Sequence, residues 1–169
     1  MEQTTIQLCI EEESQLYNHL DPAGERINDE VYSYLKSFCV DRINTVPYFD
    51  KIQIISDVPV DGGRFQENLH KAVKRDQDAL DWQLKTNNTR AVWEYLVGIG
   101  MSIVGFLASY YLDKILLATV SFFGTMILRE AVVIGTKLNP DIKHLKKRLD
   151  PLMKCKVEVI MNTGNQCGG

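Results

Sequence analysis

The stretch SFFGTMILREAVVIG, residues 121–135, reads as a membrane span until Arg129 and Glu130 interrupt it. If it lies in lipid, the chain is a membrane protein; if protein buries it, the chain is a soluble helical fold. The charge-free run before it, residues 115–128, covers 14 positions, roughly 21 Å of helix. That is short for a bilayer core of about 30 Å. Extended to Gly135 the run becomes long enough to cross, but it then takes in both charges. It holds eleven Leu, Ile, Val or Phe residues, together favourable by about 3–6 kcal/mol on an insertion scale. Two central charges at roughly 2.5–3.5 kcal/mol each would cancel that gain. Arg129 and Glu130 lie near the end, where a long side chain reaches the interface and the cost falls.

An earlier run, residues 95–112, is 18 residues without a charge, the lower end of the usual span length. With a turn at Asp113-Lys114 the two runs form a helical hairpin. Antiparallel pairing places Glu94 about one helical turn from Arg129, so an interfacial ion pair among Glu94, Arg129 and Glu130 is expected. Gly98, Ser102, Gly105 and Ser109 make one small-residue face on the first helix. Ala118, Ser121 and Thr125 make another on the second. Such faces let helices approach closely in lipid and could serve the hairpin or an oligomer.

Charge is unevenly divided although the net charge is only -3. Residues 1–61 carry twelve acidic and four basic side chains, whereas residues 137–156 carry seven basic and two acidic ones. Lys71, Lys74, Arg75, Lys85 and Arg90 precede the first run, Lys137 and the KHLKKR cluster follow the second, and the turn holds only Lys114. The excess of Lys and Arg on the flanks puts both termini in the cytoplasm of an inner or plasma membrane. Within KHLKKR, Lys143, Lys146, Lys147 and Arg148 suit anionic lipid headgroups. Pairing with the acidic N-terminal half is the next reading, and nucleic acid is not expected.

Outside the apolar runs, TTIQLCIE alternates, placing Ile6, Leu8 and Ile10 on one face of a strand. LDPAGER is a connection. Asn28 caps a helix whose stripe is Val31, Leu35, Phe38 and Arg42. KIQIISDV is a second strand. After Asp61-Gly62-Gly63 the positions Phe65, Leu69, Val73, Leu80 and Leu84 keep helical spacing, and TNNTR at 86–90 is either a hinge or part of one long rod. Asn139 is expected to cap a helix with Pro140 in its first turn and Pro151 as its stop. KCKVEVIM is a third strand, which must return to pair with the first two because one strand cannot make a sheet.

The fold expected is therefore α+β, a small cytoplasmic three-stranded sheet with helices, interrupted by a two-helix transmembrane hairpin. Residues 1–90 form the cytoplasmic part, 91–136 the hairpin, 137–161 a juxtamembrane basic helix and returning strand, and 162–169 a disordered tail. The N-terminus shows no cleavable signal peptide. LYNHLDPAGERINDEVYSYL, followed by a two-span hairpin and a terminal strand, resembles the layout of small uncharacterised bacterial membrane proteins. The resemblance implies no activity and carries over no residue.

Chemistry is sparse. His19, His70 and His144 have no metal-ligand spacing, and DGGRF lacks the lysine of a phosphate loop. Ser33, Ser37 and Ser56 lack a nucleophile context. Cys9, Cys39, Cys155 and Cys167 form no CxxC and read as small buried side chains in a reducing compartment, with a disulfide or reactive thiol as the alternative and Cys167 the most exposed candidate. No catalytic, cofactor or metal site is expected. The reading is a non-enzymatic, membrane-anchored interaction or regulatory module, with membrane lipid, a second copy and a cytoplasmic protein or ligand as partners. The alternatives are an oligomeric effector or channel gated by the cytoplasmic part, a soluble α+β protein with a buried hairpin, and an enzyme with a diffuse site.

Overall fold

The computed structural model describes residues 4–21, 23–40, 49–108 and 114–161. Its elements run β1 (Thr4–Ile10), α1 (Asp29–Val40), β2 (Phe49–Ser56), α2 (Gly62–Ala108), α3 (Lys114–Val133), α4 (Asn139–Lys154) and β3 (Lys156–Met161). A π-helical turn, Ile134–Leu138, joins α3 to α4 without a break. The protein is thus α+β, with a three-stranded sheet and long apolar helices. The chain divides into two units, one of residues 1–78 and 145–169, the other of residues 79–144.

In the first unit all three strands are parallel, in the order β1-β2-β3. Parallel neighbours cannot be joined by a tight turn and need a crossover. The segment containing α1 provides the first. The second is the whole run from α2 to α4, so the returning strand does join the N-terminal ones, beside β2. In-register partners share a face, which puts Ile6, Ile52 and Val157 on one side, and Leu8, Ile54 and Val159 with them. Gln7, Gln53 and Glu158 line the opposite face, where Lys51 pairs with Glu158 at 2.7 Å. The alternation that sends Ile6, Leu8 and Ile10 inward also turns Cys9 outward. Its expected burial is corrected by that phase.

Helix starts follow local chemistry. The Asn28 side chain accepts from the Glu30 N–H at 2.9 Å, and Asp61 accepts from the Arg64 N–H at 3.0 Å, each satisfying an orphan donor of a first turn. In the LDPAGER connection, Asp21 accepts from the backbone N–H groups of Ala23, Glu25 and Arg26. The Arg64 guanidinium donates to the Ala23 carbonyl at 2.6 Å, tying that connection to α2.

The buried face of α1 is Tyr32, Leu35 and Cys39, turned from the stripe that the apolar spacing suggests, while Val31 and Phe38 are only half-buried. The Tyr32 hydroxyl explains the turn: it donates to Asp76 of α2 at 3.0 Å, and Lys36 reaches the same carboxylate at 2.8 Å. Phe65, Leu69 and Val73 on α2 are fully buried, as is Leu152 on α4. Each such side chain contributes about 1.5–3 kcal/mol relative to exposure.

Two helix boundaries differ from expectation. Asn139 caps nothing, because the helix arrives from α3. The π turn loosens the ladder just before Pro140, whose nitrogen has no proton to give. Pro151 lies inside α4 rather than ending it. Burial of Leu149, Pro151 and Leu152 holds the last turn, which closes with the Cys155 N–H on the Pro151 carbonyl at 2.9 Å. Residues 86–90 are helical and show no hinge; they belong to α2, a helix of 47 residues.

Burial pushes the Cys39 and Cys155 thiols up from 9.0 to about 11. For Cys39 the neighbouring Cys155 adds to the effect. Burial, then the bond to Asp76, raises Tyr32 as well. A group held above its unfolded pKa favours the folded state while it stays protonated. That contribution is complete below pH 9.0 and is lost as the pH rises through about 11. The urea midpoint of the sheet unit should therefore fall over this window, and fall less in Cys39→Ala than in the parent chain. An unchanged midpoint across it would show that the thiols do not titrate with folding.

Candidate functional site: the apolar helical pair

The second unit brings the end of α2 beside α3. Gly98 and Gly124 meet at their closest approach. A Cβ on Gly98 would stand 2.7 Å from Leu128 Cγ and 3.3 Å from the Gly124 carbonyl oxygen. A Cβ on Gly124 would stand 3.3 Å from Ser102 Oγ. Missing side chains therefore set the helix spacing here. Ala91, Gly105, Ala131 and Ile134 are buried as well. Near the end of this seam the Asn139 amide donates to Asn88 Oδ1 at 2.6 Å.

The small residues named from spacing separate into two groups. Gly98, Ser102 and Gly105 are on the first helix, with Gly98 and Ser102 against the α3 backbone and Gly105 buried. The Ser102 hydroxyl donates to the Gly98 carbonyl at 2.9 Å. Ser121 and Thr125 are exposed, and the Thr125 hydroxyl donates to the Phe122 carbonyl of its own helix at 2.8 Å. The inner face of α3 is instead Gly124, Leu128 and Ala131. The interval of seven between Gly124 and Ala131 was the available signal. Ser109 and the turn residue Asp113 lie outside the described residues, as does Cys167.

Glu94 pairs with Arg90, one turn earlier on its own helix, at 2.6 Å. Its second oxygen, Oε2, is buried and has no hydrogen-bond partner among the described residues. The hydrogen bond and charge of Glu94, and more weakly the charge of Glu130, raise the Arg90 pKa. Arg129 and Glu130 are both exposed, and Arg129 makes no ion pair among the described residues. On α4, Lys143 and Lys147 are exposed, whereas Lys146 and Arg148 are half-buried.

The outer faces of both helices are apolar. Leu96, Ile103, Val104, Phe106 and Leu107 on α2 are exposed, as are Phe122, Phe123, Met126 and Val132 on α3. By length and composition two helices are suited to cross a membrane, and only 17% of the most apolar stretch of each is buried. The core helix of a soluble protein turns such side chains inward.

The sheet unit offers less. A groove of about 340 Å³ is lined by Glu13, Tyr17, His19, Asp21 and Arg64 among others. The Tyr17 hydroxyl is buried without a hydrogen-bond partner among the described residues. The lining mixes both signs of charge, and the Ser14 hydroxyl at its edge donates to Glu12 at 3.1 Å; this arrangement selects no one substrate class. Among the described residues, no group of His, Cys, Asp and Glu side chains is placed to hold a metal. Comparison with family models, curated proteins and solved structures gives no match.

Proposed function

We propose that the chain is an integral membrane protein. Its helical pair lies in lipid, and its sheet unit is a cytoplasmic interaction or regulatory module without catalysis of its own. The observation that carries the reading is the outward direction of the apolar side chains on both helices. In water such a surface is far larger than the patches a soluble monomer exposes; against acyl chains it costs nothing. The small-residue seam supports the same reading, because lipid supplies no hydrophobic drive for helices to associate and close packing must do so.

Orientation rests on charge. The basic residues before Tyr95 and after Gly135 support a cytoplasmic position for both flanks. Lys143, Lys146, Lys147 and Arg148 then meet anionic headgroups, each contributing about 1 kcal/mol near the surface. The sheet unit, formed from chain on both sides of the hairpin, is on that side too, and its partner is a cytoplasmic protein or ligand.

The test is carbonate extraction of membranes from cells making the full chain, followed by reagent access to a cysteine placed at position 113 and to tags at the two termini. The protein should stay with the membrane pellet. Position 113 should be open from the outside only, and both tags from the inside only. Release into the soluble fraction would remove the membrane reading. Tags on opposite sides would remove the cytoplasmic sheet unit.

A further inference from the structure

We infer that the outer face of α3 binds the same face of a second copy of this chain, through reciprocal Arg129–Glu130 ion pairs. The inference rests on the membrane reading above. Arg129 and Glu130 are exposed on a helix whose neighbouring outer positions, Phe122 and Met126, are exposed apolar side chains. The inner face of α3, with Gly124 and Ala131, is already occupied by α2. A charge within a span ordinarily finds a partner or reaches the interface. Glu94 pairs through one oxygen with Arg90 of its own helix, and Arg129 makes no ion pair among the described residues.

Helical geometry makes the pair self-complementary. Successive residues are about 100° apart and differ by about 1.5 Å in height. Arg129 and Glu130 therefore flank one line along the helix at nearly one level. Met126 and Val133, about one turn to either side of their midpoint, lie on that line. Two copies inserted in the same direction are related by a two-fold axis along the membrane normal. Such an axis is isologous, so each contact occurs twice. It carries the Arg129 side of one helix onto the Glu130 side of the other, and both pairs form together with the Met126 side chains between them. Like charges never face each other in this arrangement.

The experiment uses the full chain, tagged in separate batches with donor and acceptor fluorophores and reconstituted in phosphatidylcholine–phosphatidylglycerol vesicles diluted in lipid. Wild-type copies should transfer energy. R129E alone presents four carboxylates at the contact, and E130R alone four cations. Each should weaken self-association at least about tenfold, since facing like charges cost several kcal/mol. R129E mixed with E130R restores opposite charges at both contacts, and so does the double swap R129E/E130R within one chain. Energy transfer should recover in both.

Wild-type transfer in either single variant, or no recovery in both the mixture and the double swap, overturns the inference. That pattern would leave Arg129 reaching headgroups alone. Carbonate extraction of the same samples separates the two readings. A chain retained in the pellet but unable to transfer energy loses only the dimer, whereas a released chain loses the membrane reading and the dimer with it.

Discussion

Phe65→Ala is expected to destabilise the sheet unit by about 3–5 kcal/mol, the range for truncating a fully buried aromatic. Phe65 has no exposed surface, and neither do Leu69 and Val73, the next residues of the same stripe, or Ile52 and Ile54 of the central strand. These neighbours are themselves fully buried, so most of the cavity would persist. The buried thiols give a direct readout, because Cys39 reacts with a thiol reagent only when the unit opens. If opening and closing are fast, the labelling rate follows the open fraction. It should rise by roughly a hundredfold or more. Labelling of Cys39 at the parent rate would mean that Phe65 is not part of the cooperative core.

Gly98→Leu should cost the helical pair about 1–3 kcal/mol, the usual penalty of overpacking a filled interior. The Cβ alone would stand 2.8 Å from Leu128 Cδ2 and 3.3 Å from a backbone oxygen. The leucine end can move, but the carbonyl can move only if the helices separate. Gly100→Leu is the matched control, since nothing lies within 4 Å of its added Cβ. Both substitutions gain the helix propensity that glycine lacks, up to about 1 kcal/mol, so their difference isolates the contact. Thermal denaturation in detergent micelles, followed by the fluorescence of Trp82 and Trp93 together, should place Gly98→Leu well below the parent and Gly100→Leu at or above it. Equal midpoints would remove the Gly98–Gly124 approach as the seam of the pair.

Much of this architecture was legible because local rules act alone. Alternation in β1, the caps at Asn28 and Asp61, and the Phe65–Leu69–Val73 spacing each report their element without help from the rest of the chain. What was not legible depends on choices between partners. Alternation does not reveal strand direction, so the parallel order of β1, β2 and β3 had to come from the structure. Thr125 looked suited to a helix contact, but its hydroxyl is satisfied on the Phe122 carbonyl, while Gly124 with no side chain lets the backbones meet. Glu94 was equally open to choice, and Arg90 at i-4 needs no helix register to reach it. At α4 the capping signals of Asn139 and Pro140 were real features of sequence that a π turn made unnecessary.

The parallel pairing of β2 with β3 also orders events at the ribosome. Ile54 lies beside Val159, and the entire apolar pair is synthesised between them. A nascent chain can therefore close β1 on β2 early, but β2 keeps an open edge until the last strand emerges, and open edges invite wrong partners. If the helical pair spans a membrane as proposed, completion of the sheet requires the chain to have crossed and come back. On the proposed topology, a molecule that stalled after one crossing would hold β3 on the opposite side and leave that edge exposed. On that proposal β3 would close the sheet only on chains that have inserted and returned.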